Sequence, residues 1–261
     1  MNRVQLVVLL SAVLLFSGLY WGFGTKPPRQ RVVERSRALQ GESTSPDQIL
    51  SASAAQLSSD SAAVLSTLEQ QLRALETDAQ KAAAYKALAA FWFRNNAPIA
   101  SGLAAQQAAE LENTDAAWSV AGATFFQALS AEKDPVLRDF CAKRAVKAFE
   151  SATSLQPEVV EHRVNLALVY AEQPPPDNPM QAVLILRDLE TKYPDAPAVY
   201  NALGRLAIKT QQWDRAVQRL EKAYALDPEN PFTPCLLSKA YAGAGQSDKA
   251  EAFAKRCRER Q

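Results

Sequence analysis

Three side chains carry the clearest chemical pattern. Asn201, Arg205 and Lys209 recur every four residues, so a helix running through them places all three on one face. A guanidinium and an ammonium along one stripe can grip a carboxylate, and the arginine can do so with two parallel N–H donors. A peptide carboxylate or an acidic segment is the ligand such a stripe suits. No comparable pattern points to catalysis. His162 is the one histidine among 261 residues and stands just before a helix, where it is expected to face solvent. No H-E-x-x-H, nucleophile elbow, phosphate-binding glycine loop or metal-ligand spacing occurs, so the chain reads as a non-enzyme without metal or cofactor. Cys141, Cys235 and Cys257 are odd in number and form no C-x-x-C. They are expected to be small buried helix residues, not a disulfide framework, which favours a reducing compartment.

The elements that must position the stripe are helices. Alanine, leucine, glutamine and lysine abound and no extended period-two alternation is present, so the class is all-α. A net charge of +1 gives no electrostatic footprint for nucleic acid. Ala198 to Pro228 reads as one helix–turn–helix unit. Gly204 and Ala216 let two antiparallel backbones approach, and Leu203 and Leu220 fill the space beside them.

The N-terminus is of another kind. Val4 to Phe23 is a run of twenty residues with no charge, long enough to span a hydrocarbon core, and Tyr20-Trp21 suit its interface. No A-x-A-like site follows it, which favours an uncleaved anchor over a secretory signal. Residues 1–25 are thus expected to be a transmembrane anchor, 26–60 a basic juxtamembrane segment and linker, and 61–261 the helical domain. Lys26, Arg29, Arg31, Arg35 and Arg37 against Glu34 leave a local net of +4, suited to anionic lipid headgroups. By the positive-inside rule they turn the domain of a single-pass inner-membrane protein toward the cytoplasm, although short bacterial anchors also face the periplasm. Residues 38–60 read as a spacer with at most a short helix from Asp47. Leu65, Leu68, Leu72 and Leu75 then take heptad spacing, either to pack on the next helices or to dimerise.

Tyr200, Leu203-Gly204, Ala207, Ala216, Leu220, Ala223 and Pro228 resemble the tetratricopeptide repeat pattern W-x2-L-G-x2-Y…A-x3-F…P. The same spacing returns elsewhere: an alanine precedes a proline by twelve residues at 145 and 157, 182 and 194, and 216 and 228. The resemblance implies about five repeats, at 82–114, 115–159, 160–196, 197–230 and 231–261. Between Gly122 and Ala145 the second repeat carries eleven extra residues, expected to lengthen both helices around Asp134-Pro135. Asn178 is expected to cap the next helix with Pro179 at its first position.

In this family the first helices line the concave face, which implies a partner-binding groove containing Asn201, Arg205 and Lys209. Lys239 is the equivalent of Arg205 one unit on, and Phe126 and Leu168 add apolar surface. The layout is similar to bacterial single-anchor repeat proteins of the Bacteroidetes group. It implies a membrane-tethered adaptor for a protein or peptide. The alternatives are a self-associating structural subunit and a periplasm-facing chaperone or assembly factor of translocon or cytochrome c assembly type. The last helix lacks a polar cap, so Phe253 and Cys257 are expected partly open to a partner or a second copy.

Overall fold

The computed structural model describes residues 45–260. The apolar run 4–23 and the basic residues Lys26, Arg29, Arg31, Arg35 and Arg37 lie outside them. Among the described residues no helix is long and apolar enough to cross a membrane.

Twelve helices and no strand make up the described chain. They are α1 (Pro46–Ala54), α2 (Ser59–Ala74), α3 (Asp78–Arg94), α4 (Pro98–Glu112), α5 (Asp115–Ala131), α6 (Pro135–Leu155), α7 (Val160–Glu172), α8 (Gln181–Lys192), α9 (Pro197–Lys209), α10 (Trp213–Leu226), α11 (Thr233–Gly243) and α12 (Ser247–Glu259). From α3 onward successive helices pair into five hairpins that stack on their neighbours. The order is that of a tetratricopeptide-like solenoid, in which each hairpin buries a face it could not bury alone.

Local chemistry explains where the helices start and stop. Thr77 and Gln80 form a reciprocal capping box at α3, and Thr114 caps α5 through the Ala117 N–H. Asp134 accepts from the Val136 and Leu137 N–H groups, with Pro135 at the first position of α6. The extra residues of this hairpin do lengthen its helices, to 17 in α5 and 21 in α6, against 13 and 14 in α9 and α10.

The turns inside three hairpins share one device. Asn96, Gln211 and Gly245 adopt positive φ. The next N–H, of Ala97, Gln212 and Gln246, reaches back to the carbonyls of Trp92, Ala207 and Tyr241. This double reversal satisfies the last helical carbonyls and turns the chain at once. The two hairpins with inserted residues, α5/α6 and α7/α8, lack the device; in the latter Glu172 still ends α7, and the QPPPDNP that follows it is non-helical as expected.

One expected start is displaced. Pro179-Met180 form a turn and α8 begins at Gln181; Asn178 donates from its amide to the Gln181 side chain and its backbone carbonyl accepts from the Gln181 N–H. The proline ring is accommodated in the turn before the helix, so Asn178 closes a turn and caps no helix.

Leucines of α2 behave as a packing face. Leu65 is buried with Leu88, Phe91 and Trp92, and Leu68 and Leu72 pack against that cluster. The short helix allowed from Asp47 is present as α1, and it also reaches the core: Ile49 is buried among Ile99, Leu103 and Ala142. Apolar periodicity over nine residues is too short to signal this, because the contact is made by a helix distant in sequence.

At Gly204, α9 closely approaches the Leu220 side chain of α10. An added Cβ would lie 2.5 Å from Leu220 Cγ, and Leu220 has no exposed surface into which to retreat. Gly204→Ala is expected to cost about 1–3 kcal/mol by overpacking, read as a lower urea midpoint at unchanged slope.

The cysteines depart from expectation. Cys141 is buried and free, with burial pushing its thiol up to about 12. Cys235 and Cys257, however, are joined in a disulfide between α11 and α12. The terminal hairpin brings together two residues 22 apart in sequence, a juxtaposition that spacing without a known hairpin register does not reveal. Phe253 and Cys257 are partly exposed, as expected, although both are engaged within the terminal repeats. Phe253 sits between Tyr224 and Tyr241, with ring centroids 5.4 and 5.5 Å away, and the Arg256 guanidinium lies 5.0 Å over the Phe253 ring.

Candidate partner-binding site

A cavity of about 530 Å³ opens along the first helices of the last four hairpins. Phe126 of α5, Leu168 of α7, Arg205 and Lys209 of α9 and Lys239 of α11 all line it. Five of the six residues singled out from the sequence thus reach one cavity. The sixth, Asn201, does not line it: its side-chain oxygen accepts a hydrogen bond from the Thr233 hydroxyl at 3.0 Å and ties α9 to α11. Leu168 is 9% exposed, so it contributes floor, with most of its surface in the core beside Val164 and Leu186. Trp213, Leu206 and Leu236 complete the apolar walls. Nothing in their spacing marks them, since they belong to three elements that only stacking brings together.

The cations of the cavity are not equivalent. Lys209 donates to the Ala171 carbonyl at 2.8 Å and to Glu172 Oε2 at 2.9 Å, at the end of α7. Glu172 also accepts from Arg138 Nη2 at 3.3 Å, so α6, α7 and α9 share one ionic link. Burial pushes the Glu172 carboxyl up, but the hydrogen bonds and charges of Lys209 and Arg138 outweigh it and hold the pKa below its ordinary value. Arg205 and Lys239, by contrast, make no ion pair among the described residues. They are exposed cations over an apolar wall, able to take a carboxylate without first releasing another.

The Glu172 link gives a pH signature. Its folded pKa lies below the ordinary 4.5, so its stabilisation is present above that value and is lost as pH falls through the lower folded value. Wild type and Glu172→Gln are expected to differ by up to about 1 kcal/mol near pH 7 and to converge in acid. Thermal melts from pH 7 to pH 3 check this, and a gap that persists at pH 3 would contradict it.

A second cavity, about 770 Å³, lies between the first helices α3 and α5 over α4. Its floor is small: Ala89, Ala105, Ala108 and Ala117. Its rim carries Phe93 and Val120, which are 52% and 60% exposed. The face formed by the first helices is therefore apolar toward its N-terminal end and basic toward its C-terminal end.

His162 is not where the sequence suggested. It is 5% exposed, in the first turn of α7, with Nε2 3.1 Å from Asp115 Oδ2 at the start of α5. Its Nδ1 is buried without a partner among the described residues. Stacking of α7 on α5 buries the His162 side of this turn, and the pair joins neighbouring hairpins.

Residues 207–261 match the tetratricopeptide repeat family model. This match supports the tetratricopeptide repeat family, whose members mediate protein–protein interaction. No curated protein matches the chain. Among solved structures, the anaphase-promoting complex hetero-tetramer Cut9–Hcn1 is similar at a TM-score of 0.51 and 15% identity, over 83% of this chain. This chain spans 39% of that one. The MamA protein is similar at 0.41 and 15% identity, over 69% of this chain and 91% of its own. PilW, a widely conserved type IV pilus biogenesis factor, is similar at 0.46 and 19% identity, over 69% of this chain and 78% of its own. The first of these likenesses supports the helical-repeat fold and extends no further.

Proposed function

We propose that the chain is a non-enzymatic scaffold that holds a partner segment along the face of its first helices. The segment's carboxylate sits at Arg205 and Lys239, and its apolar side chains lie on Phe126 and Leu206. The observation that carries this reading is the pairing of two uncommitted cations with apolar walls in one cavity. Lys209 plays a supporting part, because its ammonium is already engaged by α7.

The test is fluorescence anisotropy with labelled peptides that end in an acidic residue and a free carboxylate and carry leucine or phenylalanine upstream. Charge-assisted hydrogen bonds are worth about 1.5–3 kcal/mol each, so Arg205→Glu with Lys239→Glu should weaken binding at least about tenfold. Charge reversal at the exposed Lys255 serves as the control. Equal affinities for the double variant and the wild type would reject the site.

The location proposed for the domain is an oxidising compartment, with residues 4–23 as its tether. The Cys235–Cys257 disulfide supports this side, since cytosolic thiols are kept reduced. It opposes the orientation drawn from the basic block. Rapid alkylation of intact cells followed by a non-reducing gel distinguishes the two. The proposal expects Cys235 and Cys257 to resist alkylation until a reductant is added; free thiols at both positions in the cell would overturn it.

A further inference from the structure

A cavity of about 690 Å³ lies away from the first-helix face, enclosed by α1, α2, α3 and α4, with Arg144 of α6 reaching into it. Leu50, Leu65, Leu72, Leu88, Trp92 and Leu103 supply its walls. Arg144 is unusual there. Its Nη1 donates to the Gln106 side-chain oxygen at 2.6 Å, and its guanidinium lies 4.6 Å over the Phe140 ring, yet it forms no ion pair among the described residues. Gln106 is 7% exposed and donates its own amide to Glu110 at 2.6 Å, with Gln107 donating to the other Glu110 oxygen at 3.1 Å. The nearly buried amide therefore links the arginine to Glu110, whose carboxylate is turned toward the two glutamines. Burial lowers the Arg144 pKa, with Glu110 acting in the opposite sense, consistent with a guanidinium that lacks a direct counter-charge.

We infer that this cavity binds a single-chain amphiphile with a carboxylate head, a long-chain fatty acid, its head on Arg144 and its chain along the leucines. A cavity of this volume is in the range that encloses small ligands, and an apolar wall with one oriented polar anchor is their usual arrangement. The remaining guanidinium donors can meet a carboxylate through two parallel bonds. Asp47 and Glu69 also line the cavity and repel an anion, so an anionic head is held at Arg144, the one cation among the described lining residues. The site is independent of the partner-binding face, so either can fail without the other.

The test is photo-crosslinking of the purified full-length protein with a diazirine-bearing palmitate, mapped by mass spectrometry. The expected result is saturable labelling in α1, α2 and α4 that excess palmitate displaces. Arg144→Gln should raise the concentration for half-labelling at least tenfold. Gln106→Glu, nearly isosteric, should do the same by giving Arg144 an internal carboxylate, and unchanged circular dichroism would show that both variants remain folded. Labelling confined to residues 4–23, or cavity labelling that neither variant weakens, would overturn the assignment.

Discussion

Phe149→Ala is expected to lower stability by about 3–5 kcal/mol, the range for truncating a fully buried phenylalanine. Phe149 has no exposed surface and lies in the cluster formed by Phe125, Leu129, Cys141 and Val169, where α5, α6 and α7 meet. Its ring also occupies the space that a side chain at Gly122 would need, since an added Cβ there would lie 2.8 Å from it. Removing the ring leaves a cavity that the helices cannot close, because both faces of α6 are already engaged by its neighbours. Urea unfolding should show the loss as a lower midpoint. Phe149→Leu should cost less and should also relieve the clash of Gly122→Ala, so the two substitutions together should fall short of their sum. A loss below about 1 kcal/mol for Phe149→Ala would mean that the ring is not part of the core.

The second large effect concerns the terminal hairpin. Closing a loop between Cys235 and Cys257 is worth about 3 kcal/mol in the chain-entropy account of disulfides. Replacing both by serine is expected to release α12 preferentially, because among the described residues α12 packs mainly on α11 and its buried residue is Ala250 alone. Contacts in a solenoid run between adjacent repeats, so the loss should be local, with α3 to α8 little changed. Amide hydrogen exchange with and without dithiothreitol reads this directly. Protection of 247–259 should fall on reduction, and identical protection in both conditions would refute the role given to the disulfide.

Much of the architecture is legible in the order of residue types along the chain. Gly204, Ala216 and Pro228 declare a hairpin because close helix approach tolerates only small residues and proline terminates the second helix. In the structure the alanine lies fully buried and the proline stands one residue past the Asp227 cap. The same logic reads α7/α8 from Ala182 and Pro194. The candidate site is legible in part. Arg205 and Lys209 share a face for a reason internal to one helix, the 3.6-residue turn. That Lys209 is bound to α7 and Asn201 to Thr233 is not internal to any helix and could not be read.

The helical class, the hairpin repeat and the cationic stripe follow from periodicity, residue size and spacing along a single chain. Tertiary structure alone decided which members of the stripe stay uncommitted, that His162 is buried against Asp115, and that Cys235 meets Cys257. Each of these depends on how neighbouring helices register and stack, a matter of packing between segments that are distant in sequence.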